Sequence, residues 1–123
     1  MSALGRAGWV VRGVGLVLIV LGVLIWVGVA SAIVPIHMLL GIVLVLALWA
    51  TAYLALQAGA KPVLPAIAAA WGLVVVVLGL SQAFILPDAG HVLIQVAHLV
   101  VGIVAIGLAE ALAAAGRRGS AAA

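Results

Sequence analysis

Cysteine is absent from this 123-residue chain, which excludes disulfides, thiol nucleophiles and thiolate metal sites together. Charge is nearly absent too: charged residues make up 6% of the chain, with five cations and two carboxylates. With only Asp88 and Glu110 as acids, there is no carboxylate pair, no nucleophile beside a base and no phosphate-binding loop. The sequence therefore gives no support to an enzyme in its own right. Arg6, Arg12, Lys61, Arg117 and Arg118 form no basic stripe, so nucleic acid is excluded as a partner.

What is present is apolar. Hydrophobic residues make up 70% of the chain, against about 45–50% in ordinary soluble domains. A small soluble fold leaves too much of its chain facing water to hide such a composition. The lipid bilayer is the solvent these side chains require.

A spanning helix needs roughly 20 mostly apolar residues. Four stretches qualify: Val10–Ala30, Val34–Leu56, Val63–Leu86 and His91–Leu112. Their separators are short and carry turn chemistry: Ser31 and Pro35, then Gln57 to Pro62, then Pro87 to Gly90. Short links force neighbouring helices antiparallel, so the expected fold is an all-α membrane protein, a four-transmembrane-helix up-down bundle. The N-terminus, the Lys61 loop and the C-terminus then share one side, and all five cations fall there. Cationic loops stay cytoplasmic, which predicts a multi-pass protein of the cell (inner or plasma) membrane with both termini on the cytoplasmic side. Arg12, at the edge of the first span, is expected to snorkel to the headgroups. Ala30-Ser31-Ala32 resembles a signal cleavage site, but the first apolar stretch exceeds a usual signal core and is read as retained.

The spans repeat. Gly15 to Gly22 matches Gly72 to Gly79 at six of eight positions, and His37-x-x-x-Gly41-Ile42-Val43 matches His98-x-x-x-Gly102-Ile103-Val104. Leu and Val matches are cheap in this composition, whereas paired glycines and a shared His-x-x-x-Gly are not. Residues 1–123 read as a single transmembrane domain made of two parallel-repeat hairpins, about 8–57 and 63–113. Repeat partners lie 57 residues apart for the first helix of each hairpin and 61 for the second.

Polar residues inside lipid are expensive and mark sites. Here they are His37, His98, His91, Gln95 and Gln82, with Glu110 near the inner end, where solvent or Arg117 and Arg118 satisfy it. His37 and His98 occupy equivalent repeat positions, so a pseudo-twofold axis turns them toward each other. Gly41 and Gly102 follow one turn on, leaving a slot against the backbone for a flat ring. Two neutral imidazoles across such a slot suit the axial positions of haem iron, here haem b. The bland reading of each histidine is a helix–helix hydrogen bond, and of each glycine, close packing. Depth counts against the pairing: if Asp88 caps helix 4, His98 lies roughly 15 Å in, and if Ser31 caps helix 2, His37 lies roughly 9 Å in. A non-helical Asp88-to-Gly90 stretch would absorb the difference. His91 meets a haem propionate, replaces His98 as ligand, or merely caps a helix start. Gln95, a turn from both His91 and His98, is a candidate to hold an imidazole N–H. Gln82 departs from its repeat partner Ile25 and is either interhelical glue or site lining. Trp9 and Trp71 read as membrane-interface anchors.

Two hairpins with a histidine on the second and the fourth helix resemble one half of the haem A synthase family. The likeness covers most of the chain in architecture, with two histidines as its motif. It implies a b-type haem held by His37 and His98. The family's glutamate three residues before the first histidine is Val34 here, its frequent loop cysteine pair is missing, and Met38 stands where an arginine often follows. The resemblance to other small four-helix b-type cytochromes is of the same kind. Haem-holding implies a redox partner or a larger membrane complex. The competing expectation is a colourless structural or accessory subunit that packs through glycine-rich faces. A channel for hydrophilic solutes would need a polar path that the mid-membrane residues do not supply.

Overall fold

The computed structural model describes residues 2–29, 31–86 and 88–122. Four helices carry the chain: α1 (Ala3–Trp26), α2 (Val34–Gln57), α3 (Val63–Ser81) and α4 (His91–Ala122). Short 3-10 turns at Ser31–Ile33, Gln82–Phe84 and Asp88–Gly90 join or extend them. All four are long and apolar enough to cross a bilayer, and the chain is a multi-pass all-α membrane protein.

Helix ends follow local chemistry more closely than hydropathy. The Ser2 hydroxyl accepts from the Gly5 amide at 3.1 Å, so α1 starts seven residues before Val10. It stops at Trp26, short of the expected Ala30, which lies outside the described residues. Gly28, with φ +75°, lets the Gly28 amide reach the Ile25 carbonyl and the Val29 amide reach that of Leu24. That is the Schellman closure a left-handed glycine permits. Gly59, φ +86°, closes α2 the same way through Ala60 to Ala55 and Gly59 to Leu56. α3 gives way to the 3-10 turn at Gln82 rather than running to Leu86. α4 continues ten residues past Leu112, because Ala113 to Ala115 and the arginines are good helix formers. Its extension docks: Gly116 and Gly119 lie against Leu4, Ala55, Ala58 and Gly59, with no room for side chains there.

Each helix touches both sequence neighbours, and α1 also touches α4, closing a ring. α2 and α4 meet across the short diagonal, while among the described residues α1 and α3 do not touch. The core occupies only the half of the bundle nearest the termini. Toward the other end, burial stops at Leu18 in α1 and Val75 in α3, and at Leu44 in α2 and Ala105 in α4. Both pairs are repeat partners. Beyond that level none of the described residues is buried.

Two polar contacts differ from expectation. Arg12 does not simply snorkel, and Glu110 is not left to solvent or to Arg117 and Arg118. The Arg12 guanidinium donates to Glu110 at 2.6 Å across α1 and α4 and stacks over Trp9 at 4.3 Å. Their side chains stay 41% and 44% exposed, so the pair contributes at most about 1 kcal/mol. Glu110→Gln should therefore lower stability by less than about 1 kcal/mol in a thermal melt; a loss several times larger would show a desolvated pair. Trp9 remains exposed, as an interface anchor would. Trp71 is not an anchor: its indole donates to the Val101 carbonyl at 3.0 Å, tying α3 to α4 inside the bundle.

Candidate functional site

In the half without a buried core, a cavity of about 540 Å³ opens between the four helices. That volume falls in the ~300–1,000 Å³ range of small-molecule and cofactor sites. Its walls come in repeat pairs: Leu18 with Val75, Gly22 with Gly79, His37 with His98, Gly41 with Gly102, and Val45 with Ile106. The expected site residues His37, His98, His91, Gly41, Gly102 and Gln95 all line this one space, and Gln82 joins them.

His37 is the fourth residue of α2, and His98 the eighth of α4. The depth conflict assumed caps at Ser31 and Asp88, and neither residue caps as expected. α2 follows the Ser31–Ile33 turn with no side-chain cap, and Asp88, φ +63°, opens a 3-10 turn before α4. α4 thus begins about one helical turn farther out than α2. The two rings converge, with centroids 6.1 Å apart and planes inclined at 49°.

Each ring rests on a glycine of its own hairpin. A β-carbon on Gly22 would stand 3.4 Å from His37 Cε1, and one on Gly79 would stand 3.5 Å from His98 Cε1. The sequence marks both glycines as repeat members but not as ring seats, because that role needs the α1–α2 and α3–α4 contacts. Gly41 and Gly102 differ: a β-carbon at either would meet nothing within 4 Å. They keep space open beside the rings.

The Nδ1 atoms of both histidines are buried and have no hydrogen-bond partner. A buried unpaired polar atom costs roughly 1–3 kcal/mol, and here the cost recurs at two equivalent positions. Gln95 does not hold either imidazole: among the described residues neither its side chain nor that of His91 or Gln82 makes a hydrogen bond. The interhelical-glue reading of Gln82 therefore gives way to site lining. No lining residue is charged, and among the described residues no group of three His, Cys, Asp or Glu side chains gathers to hold a metal ion.

The fold and this site define a four-span membrane protein with a cavity between its helices, lined by repeat-paired residues that include two imidazoles. No family model, no curated protein and no solved structure matches the chain.

Proposed function

We propose that this chain is an integral membrane b-type haem protein with bis-histidine ligation, in which His37 and His98 hold the iron. One observation carries the reading: two repeat-equivalent imidazoles, their centroids 6.1 Å apart, line the same cofactor-sized cavity. His37 and His98 would hold the iron between their rings, whose centroids lie 6.1 Å apart. The donor set agrees. Two imidazoles alone make a poor cage for a bare ion, which wants four or more ligands, whereas a porphyrin fills the equatorial positions and needs only the two axial ones.

The chain's residues do the positioning. Gly22 and Gly79 seat the rings against backbone, and Gly41 and Gly102 leave the macrocycle its space. The apolar lower walls, Leu44, Val45, Val75 and Ile106, exclude water. When bound, the haem supplies one-electron chemistry, so the protein passes electrons or holds haem for a redox partner or a larger membrane complex. The cation distribution supports a cell-membrane location with both termini cytoplasmic and the cavity near the outer face. The likeness to one half of the haem A synthase family supports the haem-holding role alone.

Protein purified from haem-replete cells should show a Soret band and sharp bands in its reduced-minus-oxidised spectrum. A colourless protein under those conditions sinks the reading and favours the accessory-subunit role.

A further inference from the structure

The cavity walls repeat, but their polarity does not. Ile25 and Val34 line the cavity from the first hairpin where their repeat partners Gln82 and Gln95 line it from the second. His91 has Ala30 as its counterpart in sequence. Both glutamines and the third histidine fall on the second hairpin, while the first hairpin's Trp26, opposite Ala83 in the repeat, adds only an indole N–H. Gln82 opens the turn that follows α3, and His91 and Gln95 stand one turn apart at the start of α4. All three side chains are partly buried, line the cavity and make no hydrogen bond among the described residues. Across from them, Ile25, Trp26 and Val34 offer only an apolar edge apart from one indole N–H.

A duplicated cavity with matched walls would accept a flat ligand in two orientations related by the pseudo-twofold axis. Placing both glutamines and the third histidine on one side removes that degeneracy. An iron protoporphyrin has the matching asymmetry, with both propionates on one edge and none on the opposite one. We propose that Gln82, Gln95 and His91 form a rim that receives the propionate edge, while Ile25, Trp26 and Val34 receive the opposite edge, so that haem enters in a single orientation. This inference rests on the haem reading above and names what selects the haem's direction. Amide N–H groups donate to carboxylates, and such charge-assisted bonds are roughly twice as strong as neutral ones. The rim has no Lys or Arg, so neutral donors carry the recognition.

The test compares haem b with its dimethyl ester, whose masked carboxylates are weaker acceptors, by titrating each into the detergent-solubilised haem-free protein. The unaltered chain should bind the free diacid at least about tenfold more tightly, as one or two lost charge-assisted bonds require. The double variant Gln82→Ile/Gln95→Val, which copies the first hairpin's side chains onto the second, should bring that ratio close to one. Both porphyrins should keep the bis-imidazole spectrum in the double variant, because His37 and His98 are untouched. Moving the amides, with Ile25→Gln/Val34→Gln added to the double variant, should restore the preference. A ratio near one in the unaltered chain, or a ratio that survives the double variant, overturns the rim while leaving the ligation intact. If neither porphyrin gives a bis-imidazole spectrum, the haem reading falls and the rim with it.

Discussion

His37→Ala and His98→Ala should each abolish the haem spectrum while leaving the bundle folded. On the haem proposal each replacement removes one of two ligands, and among the described residues no third His, Cys, Asp or Glu gathers beside the pair. Stability should barely fall, for a physical reason. Each imidazole carries a buried Nδ1 without a partner, so its removal takes away an unpaid desolvation cost along with some packing. Replacing an unsatisfied polar group by an apolar one is often near neutral. His91→Ala is the control: it lines the cavity mouth and should shift the bands without removing them. Helical content by circular dichroism and absorption by the same samples check both halves. If either ligand variant keeps the full spectrum, that histidine does not bind the iron. If His91→Ala is the variant that bleaches, then His91 rather than His98 is the ligand on α4.

Gly72→Leu should destabilise the membrane-embedded core strongly. A β-carbon there would land on the Trp49 indole nitrogen, which donates to the Ala69 carbonyl at 3.1 Å. Trp49 must move, which costs about 1–3 kcal/mol for overpacking and about 0.5–1.5 kcal/mol for the hydrogen bond. Gly41→Ala and Gly102→Ala make the opposite case. Nothing lies within 4 Å of either new β-carbon, and Ala is the better helix former by about 0.5–1 kcal/mol. Their ligand-free melting temperature should hold or rise, while larger residues at these two positions should fill the cavity and lower haem occupancy. Thermal unfolding in detergent separates the two classes of glycine. Equal destabilisation by Gly72→Leu and Gly41→Ala would mean that all of these glycines serve packing alone.

The contrast between those glycines also marks what the sequence could reveal. Hydropathy and short loops expose four spans, because lipid demands about 20 apolar residues wherever a helix crosses. The repeat pairs His37 with His98 because histidine, three residues in the chain, is rare enough here for a coincidence to be informative. Helix ends were less legible. Gly28 terminates α1 through a backbone geometry that no hydropathy window reports, and Ala113 to Ala122 extend α4 through propensity and docking rather than apolarity. The Arg12–Glu110 pair spans 98 positions and emerges only when α1 and α4 are laid side by side. Ring seats at Gly22 and Gly79 were hidden for the same reason. So was the uneven core: nothing in the leucines and valines of each helix says which half interdigitates and which stands apart.

Electron paramagnetic resonance of the oxidised protein, with histidine nitrogens labelled as nitrogen-15, tests most directly whether two imidazoles share one iron. The account predicts a low-spin ferric signal coupled to two labelled axial nitrogens, with that coupling lost in His37→Ala and in His98→Ala. A high-spin iron, a signal coupled to a single imidazole, or no ferric haem at all would contradict it.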